Sequence, residues 1–240
     1  IGLVALKTGR PARMIYSRAE SMTSTTKRHP AEMRGRIGCD ATGRITAMEF
    51  EGRFDTGAYS SWGPTVANRV PVHASGPYHT PTIHARARAV HTHGPVSGAF
   101  RGFGVPQAAL WQETLYDRLA EKAGLDRLEF RLLNALRDGQ LSATGQVMEA
   151  AGIAQCLTAL RPHWARALAE AQPQGHLRRG VGIASCWYGC GNTGLPNPST
   201  IRIGLTAAGG LVLHQGATDN GQGANTVIPQ IAAQALGLPL

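Results

Sequence analysis

The sequence of 240 residues is short of charge, short of aromatic rings and without a long apolar run, and each shortage excludes something. Charged side chains make up 16% against 42% hydrophobic, the balance of a packed chain rather than a disordered one. No apolar run approaches the roughly 18 residues that a membrane-spanning helix needs. Four cysteines, Cys39, Cys156, Cys186 and Cys190, are too few for a disulfide scaffold at this length. Cys186 and Cys190 form the one close pair. With no second pair they lack the ligand number of a zinc or iron–sulfur site, so reduced cysteines are expected. His91 and His93 share one face of a strand but have no carboxylate or third ligand beside them, and no side-chain metal site is expected. A G-x-G-x-x-G fingerprint with its ribose-binding acid is missing, as is the G-K-[ST] of a phosphate-binding loop.

Negative charge is also scarce. Lys and Arg number 24 against 15 Asp and Glu, a net charge of +9. The basic residues are scattered in ones and twos and aromatics are only 6%, so the pattern is not that of a nucleic-acid binder. A basic face toward an anionic cofactor or an acidic neighbour is the expectation. The chain begins at Ile1 and reads as a piece of something longer.

What is present is turn chemistry. Thirty glycines and 14 prolines separate alternating helical and extended patterns, which predicts an α/β chain with mixed sheets, α+β in character. Leu3–Lys7 reads as the tail of a helix, Arg13–Tyr16 as a short strand, and Ser17 as a cap. Extended runs over Glu32–Cys39 and Arg44–Phe54 flank Asp40-Ala41-Thr42-Gly43, a hairpin turn. A short helix is expected over Pro64–Val70 and a strand over Thr82–His93. Pro106 opens the clearest helix, with Ala108, Trp111, Leu115, Leu119 and Ala123 on one face. Asp126 and Glu129 predict a capping box for the next helix. Residues 138–152 lack periodicity, so domains are placed at 1–142 and 143–240. The second holds a helix over Ile153–Leu168, strands at Gly182–Tyr188, Thr200–Leu205 and Leu211–Gln215, and a last helix in which Pro229 fits only a late start.

Two glycine-rich turns, GAFRGFG (98–104) and ATDNGQGAN (217–225), each lie between a strand and a helix. Such turns let backbone amides approach an anion at a helix's positive end. They equally suit tight bends that need positive φ. Their content favours a ligand: Arg101 is a bidentate donor, Phe103 a stacking face, and Gln222 both donor and acceptor.

AFRGFGVPQ (99–107) resembles a signature of the xanthine dehydrogenase and aldehyde oxidoreductase family, the molybdenum hydroxylases. DNGQG (219–223) resembles that family's second cofactor-contacting turn. RMIYSRAESM and KRHP (13–30), DTGAYS (55–60) and WYGCGNTGLPNPS (187–199) resemble segments of bacterial members, in the same order. The resemblance spans nearly the whole chain.

It implies two molybdopterin-binding subdomains with a cofactor cleft between them. The backbone of Ala99, Phe100 and Arg101 would lie beside the metal end of a molybdenum-carrying molybdopterin, in its plain or cytosine-dinucleotide form. Gly221, Gln222 and Gly223 would hydrogen-bond to it elsewhere. Phe103 would stack on substrate, or be a plain core ring. Arg69 would bind substrate and stabilise developing charge, or serve a surface ion pair. The molybdenum is held by its pterin rather than by side chains of this chain, and the general-base glutamate is expected downstream, so no catalytic residue is nominated. The implied reaction is hydroxylation of an aldehyde or N-heteroaromatic compound with water as oxygen source. Iron–sulfur clusters and FAD would sit on other domains or subunits. The implied location is the cytoplasm, with the periplasm still open. A degenerate, non-catalytic molybdopterin-binding domain is the alternative.

Overall fold

In chain order the elements are α1 (Gly2–Thr8), α2 (Arg18–Ser24), β1 (Ala31–Cys39), β2 (Ile45–Gly57), α3 (Gly63–His73), β3 (Thr82–His91), α4 (Val105–Lys122), α5 (Arg127–Asn134), α6 (Ile153–Glu170), β4 (Arg202–Leu205), β5 (Leu211–His214) and α7 (Ala224–Leu236). The structure, a computed structural model, describes residues 1–189 and 198–240. They form two units, Ile1–Tyr188 and Gly189–Leu240.

In the first unit Asp40 closes the expected hairpin, its Oδ1 accepting from the amides of Thr42 (2.8 Å) and Arg44 (3.0 Å). β1 and β2 pair antiparallel, and α3 returns the chain so that β3 pairs parallel to β2, giving the order β1-β2-β3. β2 alternates from Met48 to Thr56. Met48, Phe50 and Phe54 face the core, while Glu49, Glu51 and Arg53 face out. The register sets the outward residues in rows, Arg36–Glu49–His84, Arg34–Glu51–Arg86 and Glu32–Arg53–Arg88. Carboxylates stand beside guanidinium groups, as between Arg36 and Glu49 at 2.5 Å, which suits a solvated face.

The other face carries α4. Gly35 of β1 leaves room for Trp111, since a β-carbon there would sit 2.5 Å from the indole. The indole meets Phe50 edge-on, with centroids 4.8 Å apart. Asp126 caps α5 by accepting from the amides of Leu128 and Glu129. The expected capping box is only half formed, because Glu129 turns instead to Arg161 of α6 in a two-pronged pair at 2.6 and 2.7 Å. Trp164 of α6 also donates to Asp126 at 2.9 Å, so α6 packs as part of the first unit.

Three extended or helical expectations are corrected. Residues 13–16 form no strand, although Ser17 does cap α2 in a complete box with Glu20. Residues 182–188 form no ladder, and are held by ring contacts instead: Tyr188 stacks on His73 (5.4 Å, 20°) and Trp187 meets the same ring edge-on. In the second unit, where β4 and β5 form a hairpin, α7 begins at Ala224 and Pro229 lies inside it. Proline removes one hydrogen bond to the Asn225 carbonyl, but Asn225 is exposed and water can replace the donor. Among the described residues no helix is long and apolar enough to cross a membrane.

Candidate functional site

The turn at 98–104 is built from three left-handed residues in succession, Gly102 (φ 89°), Phe103 (φ 46°) and Gly104 (φ 100°). A phenylalanine at positive φ costs on the order of 1–3 kcal/mol and persists only where its surroundings fix it. Those surroundings are identifiable. The Phe103 amide donates to the Phe100 carbonyl (2.8 Å) and the Val105 amide to the Gly102 carbonyl (2.9 Å). Gly104 is buried against α3, where a β-carbon would lie 2.7 Å from the Val66 carbonyl and 3.4 Å from the Arg69 Cβ. The fold therefore brings the Arg69 Cβ beside the turn.

Upstream, Lys27 and Ser97 form a parallel bridge, with the Gly98 amide donating to the Lys27 carbonyl at 3.0 Å. The Gln107 amide group is buried and donates to the His29 carbonyl at 3.2 Å. Arg28 donates to the Arg101 carbonyl at 2.6 Å and lies 4.7 Å from the centre of the Phe100 ring. Sequence reasoning missed Arg28, Gln107 and Trp62. The Trp62 ring is 6.1 Å from that of Phe103 and largely exposed, forming an aromatic pair at the start of α3. The motif KRHP was visible as a segment, but nothing local tied it to a turn more than 70 residues away.

The amides of Ala99, Phe100, Arg101 and Gly102 find no acceptor among the described residues. Immediately after them α4 starts without a side-chain cap. Four free donors, the guanidinium of Arg101 and a positive helix end form a donor set for an anionic planar group. The second turn is drawn differently. Asp219 Oδ1 accepts from the amides of Gly221 (2.8 Å) and Gly223 (3.4 Å), and its Oδ2 from Asn225 (3.1 Å). Gln222 Oε1 accepts from the Asn220 amide and its Nε2 donates to the Thr218 carbonyl, each at 2.8 Å. Of these three residues only the Gln222 main-chain amide keeps a donor without an acceptor among the described residues. The first turn fits an anionic cofactor with four amides, the second with one.

Two buried imidazoles sit on segments that meet this turn, His29 in the segment held by Gln107 and His73 on α3. Neither ring nitrogen of His29 has a partner among the described residues, and burial pushes its pKa below the ordinary 6.5, helped by Arg28 and opposed by Asp55. His73, whose Nδ1 lies 2.8 Å from the Arg69 carbonyl, is lowered in the same way by burial. Both rings hold a proton less readily folded than unfolded, where they titrate at the ordinary value. Stability from this source is therefore level above pH 6.5 and falls as pH drops below it toward the lowered folded values. Denaturant midpoints taken between about pH 8 and pH 5 should show this acid-side decline, and replacing His29 with glutamine should flatten part of it. Among the described residues no group of three His, Cys, Asp or Glu side chains could hold a metal ion. Cys190 and most of the WYGCGNTGLPNPS segment (187–199) lie outside the described residues.

Comparison with known proteins identifies the family. The family profile described as molybdopterin cofactor-binding domain matches residues 1–135, and a second profile of that description matches residues 156–240. The chain belongs to the molybdenum hydroxylase family. Within it, the chain is 46% identical over 147 residues to the nicotinate dehydrogenase large molybdopterin subunit of Eubacterium barkeri, covering 61% of this chain and 35% of that protein. It is 35% identical to the aldehyde oxidoreductase of Megalodesulfovibrio gigas over 98% of this chain and 26% of that one. The solved aldehyde oxidoreductase of Desulfovibrio desulfuricans superposes with a TM-score of 0.84 at 31% identity, covering 99% of this chain and 27% of its own. The chain thus spans about a third or less of the relatives it matches.

Proposed function

We propose that this chain supplies cofactor and substrate contacts to an enzyme that hydroxylates aldehydes or N-heteroaromatic compounds with oxygen taken from water. The observation that carries this reading is the row of four unpartnered amides at Ala99–Gly102 beside Arg69 and Phe103. Molybdopterin, when bound, supplies the redox centre at which substrate is oxidised. The amides of Ala99, Phe100, Arg101 and Gly102 hold its metal end, and the Gln222 amide hydrogen-bonds to it elsewhere. The first region is residues 1–142 and the second 143–240, a division supported by family matches that end at 135 and resume at 156.

The chain's own side chains orient the substrate. Phe103 and Trp62 offer ring faces to a planar molecule, and Arg69 stabilises negative charge developing on its heteroatom. The general base is supplied from outside these 240 residues. The cytosine-dinucleotide form of the cofactor, iron–sulfur clusters, FAD, partner subunits and a cytoplasmic location complete the proposal. The relatives support the two substrate classes: one is named an aldehyde oxidoreductase, another a nicotinate dehydrogenase.

The test is turnover of the full-length protein, with its partner subunits, in ¹⁸O-labelled water against an aldehyde and an N-heterocycle. Label in the hydroxylated product is expected. Product oxygen drawn from O₂, or no turnover of either class by cofactor-loaded protein, would contradict the reading.

A further inference from the structure

Four amides at the first turn have no acceptor among the described residues, and something must aim them. In a trans peptide the carbonyl of one residue and the amide of the next point in opposite directions, and this chain has no cis bonds among its described residues. Anchoring a carbonyl inward therefore turns the following amide outward. The Phe100 carbonyl is anchored locally by the Phe103 amide, which sends the Arg101 amide out. The Arg101 carbonyl has no such local partner. Its hydrogen bond comes from Arg28 Nη2 at 2.6 Å, from 73 residues earlier.

Arg28 is itself held on several sides. Its guanidinium lies over the Phe100 ring at 4.7 Å, and its Nη1 is 3.4 Å from Gln107 Oε1. Its backbone is fixed by Lys27, which bridges to Ser97 and whose ammonium donates to the Thr25 carbonyl at 2.6 Å at the end of α2. Gln107 grips the same segment through the His29 carbonyl. A guanidinium held over one ring while making a directed hydrogen bond suits arginine and not lysine.

We infer that Arg28 is the positioning residue of the cofactor turn, setting the Arg101–Gly102 peptide so that the Gly102 amide faces the cofactor. It touches neither cofactor nor substrate. The inference rests on the reading that this turn holds the pterin, and its test separates the two. In the full-length protein, Arg28→Met keeps the aliphatic stem and removes the donors, Arg28→Lys keeps the charge, and Arg36→Met on the outer sheet face is the control.

Hydrogen exchange is measured first, on protein purified without cofactor. Arg28→Met is expected to speed exchange in the peptide spanning 98–107 by about tenfold, Arg28→Lys nearly as much, and Arg36→Met not at all, with strands β1 and β2 unchanged in every case. Unchanged exchange in Arg28→Met, or full rescue by lysine, would overturn the inference. Pterin and molybdenum content is measured second, on protein matured with cofactor. A severalfold loss in Arg28→Met is expected alongside the faster exchange. Faster exchange with full cofactor content would leave Arg28 as the turn's anchor and would instead refute the turn as a cofactor contact.

Discussion

Replacing Arg131 with methionine should destabilise the first unit by about 3–5 kcal/mol, the largest effect expected of any single side chain here. The residue is fully buried. Its Nε donates to Glu113 Oε2 at 2.7 Å, its Nη2 lies 2.8 Å from Asp117 Oδ1, and its Nη1 donates to the Arg127 carbonyl at 3.0 Å. Tyr78 donates to the other Glu113 oxygen at 2.9 Å. Burial opposes the guanidinium charge, yet Glu113 and Asp117 hold the Arg131 pKa above its usual value. Burial alone pushes the Glu113 carboxyl up, and Arg131 pulls it back.

Removing the arginine strands a carboxylate in the core, which costs far more than the pair gains by existing. The double variant Arg131→Met with Glu113→Gln should therefore recover a good part of the loss, and denaturant midpoints of the three proteins measure the coupling. A single-variant loss of less than about 1 kcal/mol would mean that the pair is solvated. The network has a functional bearing, because Glu113 stands on α4 and accepts from the Ser185 amide. It fixes the helix that follows the 98–104 turn, and ties down the segment around Ser185.

Gly104→Ala should remove the cofactor while the fold survives. The residue has φ 100°, where alanine is strained, and the new β-carbon would lie 2.7 Å from the Val66 carbonyl. Neither problem can be relieved by moving a flexible side chain. The turn must lift from α3 and separate from Arg69, at a strain of about 1–3 kcal/mol. Pterin and molybdenum content of the full-length variant should fall by about tenfold, the effect of roughly 1.4 kcal/mol of lost binding. Gly124→Ala is the matched control. Its φ is 66°, but a β-carbon there meets nothing within 4 Å, so it should cost some stability and no cofactor. Equal cofactor loss in the two variants would show that destabilisation, not turn geometry, governs loading.

Much of this was legible in the sequence, where the governing forces are local. The Asp40–Gly43 turn, the alternation of β2, the start of α4 at its proline and the cap of α2 by Ser17 all follow from neighbours a few residues apart. The glycine turn and its content were legible too, and Arg69 falls beside it. What failed was long-range. Residues 182–188 carry strand-forming residue types, but their partners are the ring of His73 and the Glu113 carboxylate rather than another strand. Glu129 has the right spacing for a capping box and yet answers to Arg161, 32 residues away. Arg28 and Gln107 were invisible because their roles exist only once β2, β3 and α3 bring positions 28 and 101 together. At the second turn the sequence shows glycines but not that Asp219 occupies their amides.

The most direct test is a structure of the cofactor-loaded full-length protein that locates the pterin against both turns. The account predicts main-chain amides among Ala99–Gly102 and the Gln222 amide within about 3.2 Å of one and the same cofactor. A cofactor that contacts only one of the two turns, or neither, would contradict it.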